Sequence, residues 1–197
     1  MKICVFAASS DKLKEVFYEE AFEFGKKMAQ RGHTLIYGGG ATGLMGACAK
    51  GVKAGGGRVI GISPGFFDLP GILLPDADEM IITETMSERK CKMRELSEAF
   101  ITLPGGIGSF EEFFETLTLK QVGDVEGAIA VLNTEGCYDK LVEMIDKSVA
   151  EGFTPIETLD MFAVFSDMDK LLDYVEEYKP ERKELWREKM VRQKYLK

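Results

Sequence analysis

Seven short apolar runs, at 2–7, 34–37, 58–63, 79–83, 100–103, 127–132 and 162–165, recur along the chain and never stand next to one another. Each has the length and the Val, Ile or Phe content of a buried strand. The stretches between them, at about 13–31, 44–54, from 86, from 110, 138–151 and 167–177, carry apolar residues at three- and four-residue spacing, the period of an amphipathic helix. Parallel strands need crossovers of about a dozen residues, and helices of this length supply them. The alternation therefore predicts an α/β fold, a Rossmann-like, doubly wound parallel sheet with helices on both faces. At 197 residues the chain suits one domain, predicted over 1–179, and no internal repeat or second domain is visible.

Ligands in such sheets bind beyond the strand C-termini, where the strand order reverses. Three loops leave predicted strand ends with small residues: 8–10, 38–43 and 104–109. The third is the most informative. Phe100–Leu103 is β-prone, Pro104 and three glycines end it, and an amphipathic stretch follows at once. A strand, a glycine turn and a helix start make an anion site, because glycine lets the backbone approach and the helix N-terminus offers N–H groups and a positive dipole. The same residues admit a second reading. Ser109 and Glu112 have the spacing of a capping box, in which each side chain satisfies a backbone N–H. Phe110, Phe113, Phe114 and Leu117 share one stripe and belong to the core, so Glu112 faces away, toward solvent or a cleft. Both readings stand at this point.

Met86, Arg89, Met93, Leu96 and Phe100 form another stripe, which sets Arg89 among apolar neighbours. Arginine is seldom buried without a partner, and its planar fork suits phosphate or carboxylate. Ser9 and Ser10 are placed either to donate to a phosphate or to cap the first helix, and Lys12 is a weaker candidate for the same pocket. Gly38-Gly39-Gly40-Ala41-Thr42-Gly43 matches G-x-G-x-x-G between a strand and a helix. It follows the second strand, however, and the next strand ends in Ser63-Pro64-Gly65 rather than near an acidic residue, so a dinucleotide site is a weak reading. Residues 66–78 are a Gly-, Pro- and Asp-containing loop long enough to cover a cleft mouth.

The net charge of −8 argues against a nucleic-acid partner. No apolar run approaches the roughly 20 residues of a membrane span, and no leader pattern opens the sequence, so a cytoplasmic location is expected. Cys4, Cys48, Cys91 and Cys137 are scattered and read as reduced, partly buried thiols; with one histidine, the loop residue His33, no metal-ligand cluster is proposed. After Pro180 the composition turns basic with interspersed Glu and Trp186, which predicts a helical tail over 180–197 lying on its own domain or on a partner subunit.

Three blocks, Tyr37-Gly-Gly-Gly40-Ala-Thr-Gly43-Leu-Met-Gly46, Met86-x-x-Arg89-Lys90-x-x-Met93 and Pro104-Gly-Gly-x-Gly108-Ser109-x-x-Glu112, resemble in order and spacing the signatures of the LOG family. These are cytokinin-activating nucleoside 5′-monophosphate phosphoribohydrolases, often mislabelled as lysine decarboxylases. Ser109 stands where that family usually has threonine, and Ser87 where histidine is frequent. The resemblance implies hydrolysis of the N-glycosidic bond of AMP or a cytokinin riboside monophosphate, with Arg89 and Glu112 catalytic. Beside Ser9, placed by its strand end, it implies substrate or phosphate contacts at Gly39, Gly40, Met86, Lys90, Gly105, Gly106, Gly108 and Ser109, no metal or organic cofactor, and a homodimer. Two other functions are weighed. A nucleotide-sensing module would need the glycine turn without Arg89 and Glu112 together, and a lysine decarboxylase would need a lysine holding pyridoxal phosphate.

Overall fold

A computed structural model of the chain describes residues 1–180 and Leu185. Its seven strands are β1 (Lys2–Phe6), β2 (Thr34–Tyr37), β3 (Arg58–Pro64), β4 (Glu79–Thr83), β5 (Ala99–Thr102), β6 (Ala128–Leu132) and β7 (Ala163–Phe165). The helices are α1 (Glu15–Gln30), α2 (Gly43–Ala54), α3 (Met86–Glu95), α4 (Ile107–Val122), α5 (Asp139–Ala150) and α6 (Met168–Glu177). The strands form one sheet in the order β4-β3-β2-β1-β5-β6-β7, every pairing parallel. Strand β1 is central: Cys4 registers with Ile36 of β2 on one side and Phe100 of β5 on the other. The order reverses between β1 and β5, and the loops leaving those two strands open there.

Both sheet faces are covered, as a near-continuous apolar strand sequence requires. One core is built from Phe24 and Met28 of α1, Leu44 and Val52 of α2, and Leu171, Leu172 and Val175 of α6, packed on Ile3, Val5 and Leu35. The other is built from Met93 of α3, Phe113 and Leu117 of α4, and Ile145 of α5, packed on Cys4, Phe6, Ile36 and Phe100. Helices α1 and α2 meet backbone to backbone: a Cβ added at Gly51 would lie 2.0 Å from the Phe22 carbonyl oxygen. Close packing, rather than ligand contact, therefore accounts for this glycine of α2.

The strands and helices predicted within 1–179 are present, and the start of α4 carries a functional correction. Helix α4 starts at Ile107 with Gly106 as its N-cap, so Ser109 is inside the first turn and makes no cap bond. The capping-box reading of Ser109 and Glu112 falls. The chain's S/T-x-x-E cap is at α3 instead, where Thr85 Oγ1 accepts from the Glu88 N–H at 3.1 Å and the Glu88 carboxylate accepts from the Glu84 N–H at 2.9 Å. His33 is also more than a loop residue. It sits in the α1–β2 turn but is buried, with Nε2 2.7 Å from the Glu176 carboxylate. All four cysteines are free, Cys4 and Cys48 buried and Cys91 and Cys137 exposed. The expected tail over 180–197 lies, apart from Pro180 and Leu185, outside the described residues.

Among the described residues no helix is long and apolar enough to cross a membrane, and no group of three or more His, Cys, Asp or Glu side chains is gathered as metal ligands would be.

Candidate active site

A cavity of about 630 Å³ opens at the strand C-termini over the β1/β5 switch point. Its walls come from the ends of β1 (Ala7–Ser10), β2 (Gly38, Gly40, Thr42) and β3 (Ser63), from Met86 and Arg89 of α3, and from Gly106 to Glu112 around the start of α4. The loop after β3 closes one side with Phe67, Ile72 and Leu73. That loop is tied to the β2 turn: the Ala41 N–H donates to the Ile72 carbonyl at 2.9 Å and the Leu74 N–H to the Gly39 carbonyl at 3.0 Å.

The guanidinium of Arg89 occupies the floor. Arg89 is 8% exposed; its Nε donates to the Ile62 carbonyl at 3.1 Å, and Nη1 to Glu112 Oε1 at 3.0 Å. A Cβ at Gly38 would fall 2.2 Å from Nη2, so glycine there is the condition for the guanidinium to lie where it does. Glu112 is largely buried beside it. Burial pushes the Glu112 carboxyl above its ordinary range, and the charge and hydrogen bond of Arg89 only partly offset this. The result is a carboxylate in a cleft whose proton affinity is raised and whose orientation is held by one arginine, the environment in which a side chain acts as a general base.

At the other wall, α4 presents its N-terminus. Its first N–H groups precede the helical ladder, which opens with the Phe110 N–H donating to the Gly106 carbonyl at 3.0 Å. No acidic residue occupies its first turn, where Asp or Glu is usually favoured. Ser109 is buried against Gly105, at which a Cβ would come within 2.1 Å of the serine oxygen. The positive end of α4 thus faces the cavity without a carboxylate in its first turn, and Glu112 stands one turn further along.

The first turn after β5 is itself pinned to the end of β1: the Ala8 N–H donates to the Pro104 carbonyl at 3.0 Å and the Leu103 N–H to the Phe6 carbonyl at 2.9 Å.

A sequence profile for a family described as "Possible lysine decarboxylase" matches residues 45–175. A protein of Arabidopsis thaliana named cytokinin riboside 5′-monophosphate phosphoribohydrolase LOG2 is 37% identical over 179 residues, spanning 91% of this chain and 84% of its own. A rice relative, named as a probable enzyme of the same activity, LOGL9 of Oryza sativa subsp. japonica, is also 37% identical over 179 residues, 91% of this chain and 79% of its own. The chain belongs to the LOG family. Solved structures agree on the fold: the molybdenum cofactor carrier protein of Chlamydomonas reinhardtii superposes with a TM-score of 0.68 at 23% identity, over 89% of this chain and 95% of that one. A molybdenum cofactor binding protein from Rippkaea orientalis does so with a TM-score of 0.69 at 18% identity, over 89% and 94%.

Of the candidate site residues, Ser9, read from the end of its strand, and Gly40, Met86, Arg89, Gly106, Gly108, Ser109 and Glu112, read from their likeness to LOG motifs, line the cavity together. Gly39 and Gly105 lie behind its wall, the first against Met80, Leu73 and Ser63, the second against Ser109. Lys90 does not line it. Its ammonium pairs with the carboxylate of Glu111 and, at 3.3 Å, with that of Glu115. Lys12 is also outside the lining. Ser63, Phe67, Ile72 and Leu73 escaped the sequence reading as site residues. The signal present was a run of apolar side chains in a loop, of which Leu74 reaches the core while Phe66, Leu69 and Ile72 stay exposed.

Proposed function

We propose that the protein hydrolyses the N-glycosidic bond of a purine-type nucleoside 5′-monophosphate, releasing the free base and ribose 5-phosphate. The observation that carries the reading is the buried Arg89–Glu112 pair facing the same cavity as the open N-terminus of α4. The 5′-phosphate would sit on the N–H groups of residues 107–109, beside the Ser109 hydroxyl. That leaves the anomeric carbon near Glu112. Cleavage takes the bonding electron pair onto the departing base and leaves positive charge on the ribose. Ionised Glu112 stabilises that charge and accepts a proton from the water whose oxygen bonds to the anomeric carbon; that proton passes on to the departing base nitrogen, which gives the free base and restores the carboxylate. Arg89 holds Glu112 in position and offsets negative charge on the base or phosphate.

The names of the relatives support a hydrolase of nucleoside monophosphates, and within that class AMP and an N6-prenylated AMP are the two candidates. The apolar wall of Phe67, Ile72, Leu73 and Met86 suits a purine ring or an apolar substituent on it. A sensing module needs no carboxylate held against the arginine, and among the described residues no lysine lines the cavity to hold pyridoxal phosphate. A homodimer is part of the same proposal. The apolar stripes of α3 and α4 are largely used in the protomer's own core, which leaves Ile107, Met86 and Val122 as the exposed apolar groups for the contact.

The test is incubation of purified protein with AMP, N6-prenyl AMP and adenosine, followed by separation of free base. Base should appear from a monophosphate much faster than from adenosine, because phosphate binding assists the chemical step. Equal rates would contradict the phosphate site, and no release from any monophosphate would favour a binding module.

A further inference from the structure

Tyr138 lies outside the cavity, on the far side of the turn that leads into α4, and is 2% exposed. Its hydroxyl donates to the Leu103 carbonyl at 2.7 Å. The need for this donor is local. Pairing of β5 with β6 ends at Thr102–Val131, so the fully buried Leu103 carbonyl falls beyond the ladder. Pro104 brings no N–H to the turn. Three bonds then hold three successive peptide planes: the Leu103 N–H donates to the Phe6 carbonyl, the Tyr138 hydroxyl to the Leu103 carbonyl, and the Ala8 N–H to the Pro104 carbonyl, so the plane between Leu103 and Pro104 is oriented by Tyr138.

Tyr138 is in turn well held. Its N–H donates to the Asn133 side-chain oxygen at 2.7 Å, and the Asn133 amide donates to Asp139 at 2.7 Å. Its ring meets the edge of Phe110, in the first turn of α4, with centroids 5.9 Å apart. One side chain from the β6–α5 connection thus touches both ends of the glycine turn.

We infer that Tyr138 is a positioning residue for the anion-binding turn, fixing the direction of the N–H groups at the start of α4. The inference rests on the reading that this turn receives the 5′-phosphate. Tyr138 touches no substrate; it acts through the Leu103 carbonyl. Burial keeps the phenol protonated well above neutral pH, so the donor is present throughout the working range.

The experiment is Tyr138→Phe, which keeps the ring against Phe110 and removes only the hydroxyl. The ratio of kcat/KM for the monophosphate to that for the corresponding nucleoside should fall about tenfold, the equivalent of one hydrogen bond, through KM rather than kcat. Amide hydrogen exchange on the ligand-free protein should quicken at 105–109 and stay unchanged in β1 and α6. An equal loss on both substrates with a lowered Tm marks a merely structural role and overturns the inference, as does an unchanged ratio with unchanged exchange. If the wild-type protein cleaves no monophosphate, the functional reading fails; exchange at 105–109 and calorimetric binding of ribose 5-phosphate then decide the role of Tyr138 separately. Should Tyr138→Phe not fold, Asn133→Ala leaves the hydroxyl in place but frees its backbone, and the same shift in ratio at smaller amplitude is required of it.

Discussion

Replacing Glu112 by glutamine separates chemistry from stability at one atom. The wild-type carboxylate accepts from Arg89 Nη1 at 3.0 Å in a site where both side chains are about one-tenth exposed. Glutamine is isosteric and its amide oxygen can still accept that N–H, so no buried donor is abandoned. The exchange of a charged for a neutral acceptor costs about 1 kcal/mol, and the neutral amide recovers part of it by escaping the desolvation that burial imposes on a carboxylate. Tm should therefore move by no more than about 2–4 °C for a domain of this size. Glu112→Ala is the contrast, since it strands a buried guanidinium and should cost about 3–5 kcal/mol. The rate should behave in the opposite way. Glutamine neither accepts a proton nor opposes the ribosyl charge, and kcat should drop at least about a hundredfold, or about 2.7 kcal/mol in the barrier. Single-turnover base release at saturating monophosphate, beside a thermal melt, reads both. Retention of more than a tenth of the activity, or a Tm collapse like that of the alanine variant, would refute the assignment.

The pH dependence follows from the same group. Because burial raises the Glu112 pKa in the folded state, its contribution to stability is complete below the ordinary glutamate value and is lost as pH rises through the folded value. The Tm of Glu112→Gln minus that of wild type should thus become more positive as pH rises from the ordinary glutamate value through the raised folded value, and the acidic limb of the activity profile should lie above the usual glutamate range. Gly38→Ala should displace the Arg89 guanidinium, which its Cβ would meet at 2.2 Å, and reduce kcat/KM by about ten- to a hundredfold as measured by base release. Ser109→Ala should raise KM for the monophosphate and leave Tm within about 2 °C. A true N-cap serine would instead cost about 1 kcal/mol, and calorimetry distinguishes the two.

The strands were legible because a parallel sheet writes each strand as a continuous apolar run, and 34–37 and 79–83 match β2 and β4 to the residue. The convergence of the loops at 8–10, 38–43 and 104–109 followed from the direction rule for such sheets. The start of α4 did not read correctly. Gly106, Ile107 and Gly108 are poor helix formers, the cap has no side chain to announce it, and Ser109–Glu112 imitates the S/T-x-x-E pattern that Thr85 and Glu88 use. Arg89 and Lys90 are adjacent in sequence but about 100° apart on the helix. The apolar stripe correctly marked Arg89 as buried, whereas only the motif likeness suggested Lys90, which turns to Glu111 and Glu115. Ser63 and the 67–73 wall could not be assigned, because their place depends on how a long loop folds back on the β2 turn.

Among the described residues, every one that lines the cavity comes from the first 112 positions, and β6, α5, β7 and α6 add none. A chain emerging in order from the ribosome would hold the whole lining before the sheet is complete on its far side. At that moment β5 is an outer strand, with the row of N–H and C=O groups that β6 will occupy still open to any other extended chain. A fragment ending after α4 would therefore keep Arg89 and Glu112 in its sequence and should lose their pairing to association in solution, which makes the last third of the described chain a guard for the site.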